Sequence, residues 1–156
     1  MAKRIIILAS GSGSNAENIF EFFQGNSSVK VVAFATNKKE AGINKRAERL
    51  GIPLLYFSKT ELNSSDILLP KLKSLNLDLI VLAGFLLKLP TFIVDAFPDQ
   101  IVNIHPSLLP KFGGKGMYGM NVHKAVKEAG ETSSGVTIHW VNANYDEGAI
   151  IHQESI

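Results

Sequence analysis

"RIIILASGSGSNAENIFEFFQ", residues 4–24, sets the reading of the whole chain. Ile5 to Ala9 form an unbroken apolar run, as in a strand covered on both faces. The glycine-serine turn "SGSGSN" (10–15) follows at once. Ala16, Ile19, Phe20 and Phe23 then recur on one helical face, and Gly25 stops the helix. Strand, tight turn and amphipathic helix form the opening unit of an α/β fold.

The same alternation continues outward. "VKVVAFAT" (29–36) reads as a strand and "AGINKRAERLG" (41–51) as a helix closed by Gly51. "PLLYF" (53–57) is a short strand, "DLIVLAGF" (78–85) a strong one and "QIVNIH" (100–105) the next. "NVHKAVKEAG" (121–130) places Val122, Ala125, Val126 and Ala129 on one helical face. "GVTIHWV" (135–141) and "AIIHQESI" (149–156) read as late, antiparallel strands. "SSDILLPKLKSL" (64–75) has a helical pattern with Pro70 inside it, which predicts a late start or a kink. The expected architecture is a Rossmann-like, doubly wound, mainly parallel sheet with antiparallel late strands, in one domain over 1–156.

Composition narrows the function. Sixteen basic and fourteen acidic residues leave a net charge of +2, too balanced to point to nucleic acid or an anionic membrane. The absence of Cys excludes disulfides, thiolate catalysis and Cys-ligated metals. No stretch approaches the roughly 18 apolar residues of a membrane span, and Ile5–Ala9 is too short for a signal sequence. A cytoplasmic protein is the expectation. No H-E-x-x-H or comparable carboxylate set suggests a metal, so no metal is expected.

Ligands of such sheets bind beyond the carboxyl ends of the strands. Three segments with unusual chemistry fall there: "SGSGSN", "GFLLKLP" (84–90) and "NIHPSLLP" (103–110). In the glycine turn, Ser14 and Glu17 make the spacing of a capping box. Exposed N–H groups at a helix start also suit an anion. Gly11-x-Gly13-x-x-Ala16 fits a dinucleotide fingerprint, but the second strand ends "ATNKK" without the acid that holds a ribose. There is no G-K-[ST] either, so a single phosphate monoester fits better than a dinucleotide or triphosphate.

Asn103 and His105 lie two apart, so on a strand they face the same way, and Pro106 ends the ladder. An amide donor beside an imidazole suits oxyanion stabilisation and proton transfer. Asp146, in the turn of "NANYDEGAI" (142–150), is the candidate carboxylate to orient His105, though 41 residues separate the two. His123 reads as a solvated helix residue, and His139 and His152 as ordinary sheet positions.

With "SGSGSN", "DLIVLAGF", "NIHPSLLP" and "YDEG" in hand, the whole chain resembles the phosphoribosylglycinamide formyltransferases. The Asn-x-His-Pro-Ser-Leu-Leu-Pro stretch is shared with the wider formyltetrahydrofolate-using group, and the glycine turn singles out this branch. The resemblance implies transfer of a formyl group from 10-formyltetrahydrofolate, a co-substrate, to the amine of glycinamide ribonucleotide in purine biosynthesis. It implies Asn103, His105 and Asp146 as the catalytic set. Gly13, Ser14 and Asn15 would hold the ribonucleotide phosphate, with Pro106 on the same side. Phe85, Leu86, Leu87, Lys88 and Leu89 would line the folate pocket, with Val141, Asn142 and Tyr145 in a loop hugging the pterin. Neither nucleic acid nor membrane is an expected partner, and the chain would be a monomer or homodimer. Relatives continue into a C-terminal helix that the 156 residues do not include. Lys59 stands near where relatives often place an Arg toward the folate glutamate, and "KFGGKGMYGMN" (111–121) is a longer, glycine-rich loop. Rival readings are another formyl-folate enzyme, a nicotinamide dehydrogenase and a non-catalytic phosphate-binding domain.

Overall fold

The computed structural model describes residues 1–144 and 146–156. Seven strands form one sheet in the order β3-β2-β1-β4-β5-β6-β7. They are β1 (Lys3–Leu8), β2 (Val29–Thr36), β3 (Leu54–Tyr56), β4 (Leu79–Leu82), β5 (Ile101–His105), β6 (Gly135–Trp140) and β7 (Ile150–Ser155). The first five pair in parallel, and β6 and β7 add antiparallel, as expected for the late strands. The strand order reverses between β1 and β4, which makes their carboxyl ends the switch point where such sheets open a crevice.

Side-chain alternation along the central strands divides the core between the two faces. Ile6, Leu8, Ile80, Leu82 and Ile101 pack on one side with Leu62, Leu68, Leu72 and Ile93. These last come from three helices: α3 (Lys59–Leu62), α4 (Ser65–Ser74) and α5 (Thr91–Ala96). Ile5, Ile7, Val81, Ala83 and Val102 pack on the other side with Ala16, Ile43 and Ala47. Those belong to α1 (Ser14–Phe23) and α2 (Ile43–Leu50). Burial on both faces explains why these strands read as continuous apolar runs. The helix α6 (Met120–Glu128) precedes β6 and buries Val122.

Three expectations are corrected. Pro70 does not delay α4, which starts at Ser65 and runs to Ser74, with Leu68 and Leu72 anchoring it to the core on both sides of the proline, so the late start is not seen. The strand expected over 78–85 is shorter, because Gly84 turns left-handed (φ +76°) and takes the chain out over the sheet end. The capping box does not form. Gly13 is the N-cap with no side-chain cap bond, and Glu17 is drawn instead to Arg46 and Arg49 on α2. Two guanidinium partners outweigh one backbone N–H for a carboxylate.

Candidate active site

Strand β5 delivers Asn103 and His105 to the carboxyl end of the sheet, on one face as their spacing requires. Beyond Pro106 the chain is braced by Thr137, fully buried on β6 and paired in register with His105. The Thr137 hydroxyl donates to the Ser107 carbonyl (2.6 Å) and accepts from the Leu109 N–H (3.0 Å). Ser107 in turn donates to the Lys111 carbonyl at 2.7 Å. This bracing brings the carbonyl of Phe112 to 2.8 Å from His105 Nε2, which must donate to it. His105, 3% exposed, therefore turns Nδ1 toward Asp146, whose Oδ1 lies 3.5 Å away.

Asp146 is the junction of the site. Its Oδ2 accepts from the Gly114 N–H (2.8 Å), and its Oδ1 is also 3.5 Å from His139 Nε2. Asp146 reaches this position from a left-handed backbone (φ +53°), which an Asp tolerates better than most residues. His139, 2% exposed, donates Nδ1–H to the Trp140 carbonyl at 2.9 Å, and its Nε2 lies 3.1 Å from Asn103 Nδ2. Burial pushes the His139 imidazolium toward losing its proton. The Asp146 carboxylate and the Trp140 carbonyl outweigh that and hold its pKa above the usual value. Burial likewise favours a neutral Asp146, but His139, the Gly114 N–H and the charge of His105 prevail and hold its carboxyl below the usual range.

These groups open into a cleft of about 320 Å³ at the switch point. Asn103, His105 and Asp146 all line it, which brings His105 and Asp146 together across 41 positions of sequence. Phe85, Leu86, Leu87, Lys88 and Leu89 line it as a contiguous segment, and Val141 and Asn142 line it as well. Pro106 and Asn15 line it too, which joins the cleft to the start of α1. Gly13 and Ser14 precede Asn15 but are not in the cleft lining, and neither is Lys59 on α3. Tyr145 lies outside the described residues. The glycine-rich loop brings Gly114, Gly116, Met117 and Tyr118 to the rim. His123, exposed, lines the cleft beside them.

His139 corrects the sequence reading of an ordinary sheet position. On alternation alone it looks like any inward strand residue. The β5–β6 register, which pairs it with Asn103, makes it part of the site. A second residue missed is Ser10, 2% exposed, whose hydroxyl accepts from the Leu86 N–H (2.9 Å) and donates to Asn37 Oδ1 (2.5 Å). It ties the ends of β1 and β2 to the hydrophobic wall of the cleft. Among the described residues, no group of three or more His, Asp or Glu side chains is placed to hold a metal ion, and no helix is long and apolar enough to cross a membrane.

The formyl transferase family model matches residues 3–156. The chain belongs to that family. It is 45% identical over 160 residues to the chloroplastic phosphoribosylglycinamide formyltransferase of Arabidopsis thaliana, covering 99% of this chain and 55% of that protein. It is 36% identical to the phosphoribosylglycinamide formyltransferase of Haemophilus influenzae, covering 99% of this chain and 73% of that one. Among solved structures, glycinamide ribonucleotide transformylase 1 from Geobacillus kaustophilus superposes with a TM-score of 0.89 at 32% identity, over all of this chain and 83% of that chain. The chain thus spans about half the length of the plant relatives it matches. The α/β formyltransferase fold expected from the sequence is the one observed.

Proposed function

We propose that this formyl transferase moves the formyl group of 10-formyltetrahydrofolate to the amine of glycinamide ribonucleotide. The observation that carries the proposal is the meeting of Asn103, His105 and Asp146 in a cleft lined both by the apolar segment Phe85 to Leu89 and by Asn15 at the start of α1. A flat pterin suits the wall of Phe85 to Leu89, with backbone groups of the Val141–Asn142 segment available to its polar edge. A phosphate monoester suits the uncapped N–H groups at the start of α1, where Gly13, Ser14 and Asn15 would hold it. Pro106 would then face the ribonucleotide, between the two ends.

The chemistry follows from this chain's own donors. The amine nitrogen of the acceptor attacks the formyl carbon and a tetrahedral oxyanion forms. The bond from that carbon to the folate nitrogen then breaks, and a proton passes from the attacking nitrogen to the departing one. Asn103 and His105 supply donors to the oxyanion, a type of contact worth roughly 10²–10³ in rate. His139 sets which donor Asn103 offers. With Nδ1–H given to Trp140, a neutral His139 accepts the Asn103 N–H at Nε2 and occupies that donor. Once protonated, Nε2 can only donate, and Asp146 Oδ1 stands within 3.5 Å to receive it, so the Asn103 NH₂ group loses its acceptor on the ring and is freed toward the cleft. Asp146 favours that charged state. The reaction needs no covalent enzyme intermediate.

The test is steady-state turnover with 10-formyltetrahydrofolate, with and without glycinamide ribonucleotide, followed by the folate absorbance change. Turnover that requires the ribonucleotide is the expected result. Release of formate in its absence would make the protein a deformylase, and the absence of any turnover, with the ribonucleotide or with water, would overturn the proposal.

A further inference from the structure

The sequence places Glu17, Arg46 and Arg49 on two different helices, and the fold joins them at the back of the glycine turn. Glu17, 8% exposed, is held by Arg46 through one carboxylate oxygen and by Arg49 through the other. Arg46 also donates Nε–H to the Ser12 carbonyl at 2.7 Å. One residue back, the Gly11 carbonyl accepts the Ile43 N–H at 3.1 Å. The turn lies directly on α2, for a Cβ on Gly13 would come within 2.8 Å of Ile43, and one on Gly42 within 2.9 Å of Ser12.

Peptide geometry gives these contacts a consequence. In a trans peptide the carbonyl of one residue and the N–H of the next point in opposite directions. With the Gly11 and Ser12 carbonyls held against α2, the N–H groups of Ser12 and Gly13 point away from it. The same turn then enters α1, whose first N–H groups carry no side-chain cap.

We infer that Arg46, itself fixed by Glu17, is the positioning residue of the phosphate site: by anchoring the Ser12 carbonyl it aims the Gly13 N–H at the ribonucleotide phosphate. The inference rests on the reading that this turn takes the phosphate. Arg46 acts through the turn, and its charge is already answered by Glu17.

Two substitutions separate positioning from the electrostatic field. Glu17→Gln removes a negative charge near the anion, so a field effect alone would tighten phosphate binding, whereas loss of positioning weakens it. Arg46→Lys keeps the charge, so a field effect alone would leave affinity unchanged, whereas losing the guanidinium fork that reaches Ser12 and Glu17 together weakens it. The probe is inorganic phosphate, titrated by calorimetry and as a competitor of glycinamide ribonucleotide. Both variants are expected to bind it about tenfold more weakly, as loss of a charge-assisted anchor predicts. The KM for the ribonucleotide should rise in step, with the KM for formyl-folate and kcat within twofold. Unchanged or tighter phosphate binding by folded Glu17→Gln, or full affinity in Arg46→Lys, overturns the inference and leaves the proposed function standing. No competition by phosphate in the unaltered protein overturns the reading of the turn as the phosphate site, and the inference with it, while ribonucleotide-dependent turnover still decides the proposed function. Should Glu17→Gln fail to fold, Arg46→Lys decides alone.

Discussion

Asn103 on β5 and His139 on β6 sit directly opposite one another in the antiparallel pair, with Asn103 Nδ2 and His139 Nε2 3.1 Å apart. A strand pairing therefore fixes the relation between the proposed oxyanion donor and the imidazole beside it. Asn103→Ala should lower kcat by roughly 10²–10³ and leave both KM values within a few-fold, because the lost contact is made chiefly in the transition state. A rise in KM at constant kcat would assign Asn103 to substrate binding instead.

His139→Ala leaves the Asn103 amide without its orienting partner and Asp146 with one imidazole fewer. We expect kcat to fall about tenfold or more, with the Asn103→Ala, His139→Ala double variant no worse than Asn103→Ala alone. Residues that act as a unit are non-additive in this way. Steady-state kinetics of the three variants checks it, and fully additive losses would show that His139 acts independently of Asn103.

The ion pair of Asp146 with His139 predicts a pH window for stability. The Asp146 pKa is lowered by folding, so its contribution is present above the unfolded value of about 3.9 and is lost as pH falls through the folded value. The His139 pKa is raised, so its contribution is complete below the unfolded value of about 6.5 and is lost as pH rises through the folded value. Thermal unfolding of the unaltered protein and of His139→Gln should differ most between about pH 4 and 6.5 and converge toward alkaline pH. A gap that widens above pH 8 would contradict the pairing.

Gly113 leaves room for the carboxylate. A Cβ there would stand 2.6 Å from Leu109 Cδ2 and 3.3 Å from the Asp146 Cβ. Gly113→Ala should push Leu109 aside and shift Asp146 by a few tenths of an ångström, enough to loosen its 2.8 Å contact with the Gly114 N–H and lower kcat several-fold. Crystallography of the variant would show the carboxylate moved; an unmoved Asp146 with full activity would refute the steric account.

Ser10→Ala removes the acceptor of the Leu86 N–H and leaves that group unpaired beneath the apolar segment proposed to take the folate. The expected cost is about 1–3 kcal/mol in stability. The KM for formyl-folate should rise several-fold while the KM for the ribonucleotide is unchanged. Equal effects on both substrates would mean that Ser10 supports the sheet end as a whole.

What could be read from the sequence divides along physical lines. Strands such as Ile5–Leu8 and Ile80–Leu82 were legible because burial on both faces leaves only apolar residues. The short helices Lys59–Leu62 and Thr91–Ala96 were not, since four to six residues cannot display a helical period. Glu17 satisfied a local capping pattern, but its partners on α2 lie 29 and 32 residues away, beyond any local rule. Asn103 and His105 announced themselves by polar chemistry at the end of an apolar strand. His139 did not, because its role depends on strand register, which alternation within β6 alone does not fix.

The account stands most directly on where the formyl group goes. The protein should be incubated with isotope-labelled 10-formyltetrahydrofolate and glycinamide ribonucleotide, and the ribonucleotide, the free formate and the intact protein analysed by mass spectrometry. The account predicts label on the ribonucleotide amine and none on the protein at any time. Label recovered as formate, or carried on the protein as a covalent adduct, would contradict it.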